Sequence, residues 1–398
     1  MSARVVVTGV GVISSIGAGV EEFERNLYAG CCGIGPSPLL GDTAIAAEVR
    51  NFSPQTWLGN KGIRVLDRSA RLLSVAAHMA LTATGLQQEN GEGDPNLGLV
   101  CGTMFGSVHS ITSFDWSGVT EGPNYVNPME FPNTVINSPA GQAAIKHKLR
   151  GVNSTISAGL VSGLYAIHYA AEFLRFGRAT ALLAGGVEEL SEEAFVSFGK
   201  VGVLSPTGRA RPFAPDRDGT VLGEGSALWM LETAESAAAR GAKALAEVAG
   251  FGAAHDAHDI NSYRVRGEGA AAAIRQALCA AGIGPDAIGC IIAGASGSRA
   301  GDEMEEHALR SVFGARWEQI PLCAPKAQFG EALGASGALC ALTAGLALKV
   351  GQAGRLPEIR AGGPPAPPER QKIQTEYALV NCFACDGNNA ALVIKGLN

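Results

Sequence analysis

The sequence predicts an α/β protein of stacked sheets and helices, built twice from one strand–helix plan. Three observations predict it. Of 398 residues, 46% are hydrophobic and only 17% charged, which implies an extensive core and excludes a disordered or solvating chain. Two segments, SGLYAIHYAAEFL from Ser162 and SGALCALTAGLAL from Ser336, begin Ser-Gly and continue as almost wholly apolar helices. Helices that apolar must be covered on all sides, as between two sheets. The third is a repeated helix-then-strand pair: residues 69–86 lead into LGLVCGT, and residues 267–283 lead into GCIIAGAS. Alternating strands and helices in two similar halves define a layered architecture.

Taken in order, Val5 to Val20 reads as a buried strand and turn rather than a secretory signal, because Gly9, Gly11 and Gly17 interrupt it and one basic residue precedes it. Its G-x-G lacks the third glycine of a dinucleotide fingerprint. The strand GSALWMLE and the Ala-rich helix after it close the first half, so the division falls at 235–245, giving halves 1–240 and 241–398. Gly337 to Val350 is shorter than the ~20 residues that span a bilayer and reads as a central buried helix. Gly362 to Arg370 is too proline-rich for helix or ladder pairing. A net charge of -6 gives no case for nucleic-acid or anionic-membrane binding, and cytoplasmic is the default expectation. Seven of the nine cysteines lie mostly in apolar contexts, and the lone C-x-x-C of Cys382 and Cys385 lacks a second ligand pair, so no metal is expected.

The pattern STISAGLVSG at 154–163 has the form strand, tight Gly-containing turn, helix start. That geometry aims one side chain at the head of a helix, where backbone N–H groups and the helix dipole lower a thiol pKa. The side chain offered there is Leu160, which can be neither deprotonated nor acylated.

Several separated motifs resemble the β-ketoacyl synthases of the thiolase fold. RVVVTGVGVIS at 4–14 is similar to that family's first strand. Phe131 to Asn137 with Gly141-Gln142 resembles the segment before the nucleophile strand. Arg211-Pro-Phe-Ala-Pro-Asp-Arg-Asp-Gly219 with Gly223-Glu-Gly225 resembles R-P-F-D-x-x-R-D-G-x-x-x-G-E-G, and Asp256-Ala-His258 fits a further piece. The resemblance covers nearly the whole chain and implies a thiolase-like duplicated five-layer α-β-α-β-α architecture. In that family a cysteine carries the acyl chain and two histidines stabilise the enolate while a malonyl extender decarboxylates, as a Claisen condensation requires. Matched motif by motif, the cysteine falls on Leu160, the first histidine on Ser296 and the second on Glu331. Asp302, Glu305 and Lys326 match supporting positions. The glycine-rich gate N-S-F-G-F-G-G becomes Asn381-Cys-Phe383-Ala-Cys385-Asp386-Gly387, with Phe383, Cys385 and the added Asp386 as an altered gate.

A fold kept without its chemistry resembles the chain-length factors of type II polyketide synthases. The resemblance implies a non-catalytic subunit with no bound cofactor. It would pair with an active ketosynthase as a heterodimer and meet acyl chains carried on the phosphopantetheine of an acyl carrier protein. Its role would be steric, since bulky side chains closing a tunnel make a longer chain pay overpacking energy. The tunnel stretch would be Met104 to Asn137, with Met104, Phe105, Phe114, Phe131 and Thr134 as candidates. Glutamine holds the cysteine position in many aromatic-polyketide factors; leucine offers no amide donor, which leaves open another product class, such as polyene or other reduced chains.

Two other functions stay open: a divergent acyltransferase, hydrolase or decarboxylase using Ser162, Ser296 or Glu331, and a non-catalytic acyl-binding homodimer. Ser157 and Ser162 flank the vacant position, but His168 lies nearly two turns beyond Ser162. Glu331 could face Ser296 across the pocket and act as a base if burial raised its pKa, or pair with Lys326, five residues earlier, or with another cation. His255 and His258 would share a helix face but lack a further ligand cluster. Glu188-Glu189 and Glu305-Glu306 read as solvated faces, and Lys200, Arg209 and Arg211 as candidates for docking an acidic carrier protein.

Overall fold

The computed structural model describes residues 3–87, 92–353 and 371–397; the proline-rich loop expected at 362–370 lies outside them. Ten strands line up in one sheet path: β1 (Val5–Ser14), β2 (Leu97–Gly102), β3 (Asn153–Ile156), β4 (Ala181–Glu188), β5 (Gly225–Thr233), β6 (Ala246–His255), β7 (Ile288–Ile292), β8 (Leu322–Cys323), β9 (Tyr377–Phe383) and β10 (Asn388–Gly396). An eleventh, Gly17–Ala18, folds back on β1, and Gly35–Ser37 pairs separately with Gly41–Ala46.

The spatial order is β8-β7-β9-β10-β6-β1-β5-β4-β2-β3. Read outward from the middle, each half runs first, fifth, fourth, second, third strand. Pairing type repeats as well: β2 is parallel to β3 and β4, as β7 is to β8 and β9, while the remaining pairs within each half are antiparallel. The two five-stranded units meet only where Val6 and Val7 of β1 oppose Glu247 and Ala246 of β6.

Helices Ser162–Arg175 and Ser336–Val350 form the central layer. Their shared Ser-Gly start has a steric reason. A Cβ on Gly163 would sit 2.8 Å from Gly334 O, and one on Gly337 would meet the Leu164 side chain at 2.8 Å, so the two glycines let the helices cross in contact. Leu333–Val350 is, among the described residues, the one helical stretch apolar and long enough to cross a membrane by length and composition; 83% of it is buried in the protein's own core.

The outer layers are helix Arg68–Thr84 and helix Glu268–Ala280. Here too the halves match. A Cβ on Gly11 of β1 would strike Ala76 O at 1.9 Å, and one on Gly252 of β6 would strike Ala273 O at 2.1 Å. The G-x-G of β1 is thus consumed in packing strand against helix. One local expectation fails: β6 ends at His255 and residues 256–259 are not helical, with Ala257 at φ 46°, so His255 and His258 share no helix face. Asp256 instead accepts from Asn389 Nδ2 at 3.0 Å.

Candidate active site: a closed nucleophile turn

β3 ends at Ile156, and the next residues form the turn that the sequence predicts. Gly159 has φ +63°, a left-handed conformation that suits glycine. Ser162, at the first position of its helix, pins that turn: its Oγ donates to Gly159 O at 2.6 Å and accepts from Ala158 N at 2.9 Å. Ser162 is fully buried and its hydroxyl is engaged within the turn, while His168 is occupied by stacking on Phe251, ring centroids 4.2 Å apart. Ser157 Oγ donates to Met104 O at 3.2 Å.

Leu160 sits at the head of the helix, 9% exposed and packed with the central core. The Cys382 thiol donates to its carbonyl at 3.1 Å. Burial pushes the Cys382 thiol up to about 12, which holds it protonated and fits it to be a donor rather than a nucleophile. Cys385 is half-buried, and burial followed by the nearby Asp386 charge raises its thiol too. Asp386 accepts from Asn388 N at 2.9 Å, and its Oδ2 lies so close to Gly159 that a Cβ there would approach it to 2.5 Å. A carboxylate therefore rests on the turn itself.

Glu331 is buried and pairs with Lys326, Oε2 to Nζ 2.7 Å. Its other oxygen accepts from Leu333 N at 3.1 Å and from Ser336 Oγ at 2.5 Å. Leu333 has φ 46°, a region leucine rarely adopts, and the Glu331 carboxylate holds its N–H there. Lys326 also donates to Gly294 O at 2.8 Å. Burial alone lowers the pKa of the Lys326 ammonium, but the Glu331 charge and hydrogen bond, together with the nearby Cys382 and Cys340, carry the net shift upward. Lys326 is charged and its partner carboxylate is committed on both oxygens.

Glu305 continues this network, accepting from Gly294 N at 3.1 Å and Asn381 Nδ2 at 2.8 Å. Asp302 accepts from Phe213, Ser296 and Gly297 backbone N–H groups at 2.8–3.3 Å. Burial raises Asp302 to about 6 and Glu305 to about 7. Ser296 is buried and lines, with Phe383, Tyr263 and Asp302, a recess of only about 10 Å³. Tyr263 is a site residue that sequence reasoning missed; it lies in an irregular segment without a motif, and burial raises its phenol pKa.

The expectation of solvated faces is corrected at three of its four carboxylates: Glu188, Glu189 and Glu305 are buried. Glu188 closes β4 and accepts from Thr103 Oγ1 at 3.1 Å and from the backbone N–H groups of Met104, Phe105 and Gly334 at 2.6, 2.9 and 3.0 Å. It ties the start of the 104–137 stretch to the turn that follows Glu331. Burial raises Glu188 to about 7, against the pull of those donors. Of the suggested docking cations, Lys200 and Arg209 are exposed, whereas Arg211 is half-buried and pairs with Asp216.

The tunnel candidates divide into two groups. Met104 and Phe105 pack against the core, Phe105 edge-on to Phe198 at 6.4 Å. Phe114 meets Phe131 at 6.0 Å, but Phe131 is 62% exposed, and Thr134 Oγ1 donates to Phe131 O. Helix Val108–Thr120 buries no residue. Phe114 and Thr134 are half-buried, and Phe131 stands at the surface.

The models for the β-ketoacyl synthase N-terminal domain and C-terminal domain match residues 2–237 and 245–358. The chain belongs to the β-ketoacyl synthase family. The 3-oxoacyl-[acyl-carrier-protein] synthase 2 of Vibrio cholerae is 34% identical over 98% of this chain and 99% of its own. Among solved structures, the ishigamide ketosynthase/chain length factor aligns over the full length of both chains at 30% identity with a TM-score of 0.91. A type II polyketide synthase acyl-carrier protein in complex with its ketosynthase bound to the hexaketide aligns over the full length of both chains at 25% identity and a TM-score of 0.88.

Proposed function

We propose that this protein is a catalytically inactive ketosynthase-like subunit of the chain-length-factor kind. In this reading it pairs with an active β-ketoacyl synthase and shapes the acyl tunnel of that partner during polyketide or fatty-acid-like assembly. The observation that carries the reading is Leu160, an inert side chain at the head of the helix where the family's chemistry needs a thiolate. Three features support it. Glu331 is spent on Lys326, Leu333 and Ser336, Asp386 rests on the turn, and apolar side chains from 116–131, within the 104–137 stretch, stand exposed. Acyl chains would arrive on the phosphopantetheine of a carrier protein, with no cofactor held by this chain, and the setting would be the cytoplasm. The acyltransferase reading through Ser162 lacks a free hydroxyl, since that Oγ donates to Gly159 O.

The test is co-expression with a ketosynthase that keeps the Cys-His-His set, native mass of the complex, and analysis of product length. A one-to-one complex whose product length shifts when Phe105 is changed to Ala is the expected result. A stable homodimer that ignores the partner, or products indifferent to this chain, overturns the reading.

A further inference from the structure

At the C-terminal end of helix Ser336–Val350, about 14 Å along its axis from the turn at Glu331–Ser336, a cleft of about 730 Å³ opens where the two half-sheets meet. That size suits a small organic ligand. Its walls are mostly apolar, with Val7, Val10, Val20, Leu342 and Leu346 prominent. The helix leaves room for an occupant: a Cβ built on Gly345 meets nothing within 4 Å except the edge of the Trp229 ring at 3.8 Å. This contrasts with Gly337 on the same helix, which is in tight contact.

The polar groups of the cleft are uneven. Arg240 is satisfied by Glu232 and by Thr84 O, and Lys349 by Glu24. Lys243, exposed at the rim, has no partner among the described residues. Trp229, which also lines the cleft, is 1% exposed, and its indole Nε1–H has no hydrogen-bond partner. A cation at the rim with no partner among the described residues, above an apolar body that the Trp229 ring helps to line, sets the chemistry of a ligand.

We infer that this cleft binds a small amphipathic carboxylate, with its hydrocarbon body between helix Ser336–Val350 and β1 and its carboxylate on Lys243. The site is separate from the turn at Leu160 and requires neither a ketosynthase partner nor a carrier protein, so its failure leaves the proposed function untouched, and the reverse holds.

The test titrates the full chain with decanoate and, separately, decanol by calorimetry, and follows the Trp229 indole N–H resonance. The expected result is one decanoate per chain with a shifted Trp229 signal. Lys243→Gln should weaken decanoate at least about tenfold, the loss of one charge-assisted contact, and leave decanol unchanged. Gly345→Leu, which fills the cleft, should abolish both; the Trp229 resonance of the unaltered protein reads the same site should that variant not fold. Absence of binding, an unmoved Trp229 signal, or decanoate affinity indifferent to Lys243→Gln would overturn the inference. So would concentration-dependent dimers lost in Gly345→Leu, which would make the cleft a contact between two copies.

Discussion

A buried ammonium and a buried carboxylate held 2.7 Å apart stabilise each other only as a pair. Removing one leaves an uncompensated charge, so Glu331→Ala should cost about 3–5 kcal/mol, read as a lowered denaturant midpoint. Replacing Lys326 with Met and Glu331 with Leu together should cost far less, because both charges go at once. Leu160→Cys should fold, since its site tolerates a smaller apolar side chain, and should yield no condensation product from acyl- and malonyl-carrier protein. The thiol alone lacks the donors that Ser296 and Glu331 do not supply; robust turnover by that single variant would contradict the inactive reading. At this scale the five-residue spacing offered the Lys326–Glu331 pair as one of two readings of Glu331, and the buried ion pair is the one the fold makes. Glu188 was not. Two adjacent carboxylates read as solvated unless one knows that β4 is buried along its whole length and that four donors converge on its last residue.

β4 thus ends in two acids that the fold keeps from water, and their titration has a definite sign. Burial, then the Asp67 charge, raises Glu189 to about 8 from a reference of 4.5, and burial raises Glu188 to about 7. Each binds its proton more tightly folded than unfolded. The stability they contribute is full below about 4.5, falls as the pH rises through about 7 and 8, and is level above. The melting temperature of Glu189→Gln relative to the parent should therefore rise between pH about 5 and about 9; a constant difference would show that Glu189 is not perturbed. Packing of elements sets a second expectation. Gly11→Val places a side chain on Ala76 O, and the strand–helix contact cannot open without breaking the outer layer, so a loss of at least about 1–3 kcal/mol is expected by thermal or denaturant unfolding. The four helices of the central and outer layers, and strands β1, β2, β5 and β7, were readable from their apolar patterns. β8, with two residues, was not, because its place is fixed by pairing with β7 rather than by any local preference.

As a whole, the molecule leaves Trp116, Val119, Tyr125, Met129 and Phe131 exposed within one segment, 116–131. Grouped apolar exposure of this kind marks an interaction surface, and aromatic residues there concentrate binding energy. Phe131→Glu should weaken the complex with an active ketosynthase at least about tenfold, measured by titration of the purified subunits, with little change in the melting temperature of this chain alone. The duplicated architecture was legible from two Ser-Gly helices and two helix–strand pairs. The tunnel candidates were not separable in sequence: Met104 and Phe105 pack against the core whereas Phe131 stands exposed, a division that tertiary packing alone sets.

The position of β1 carries a consequence for synthesis. It precedes every other strand of the sheet in chain order, yet its long partner within its own half is β5, which ends at Thr233. At about 5–20 residues per second, the run VVVTGVGVIS waits roughly 12–45 s for that partner. The nascent chain therefore carries an apolar strand without its long partner through that interval, so the yield of native protein is expected to rise with chaperone supply during translation.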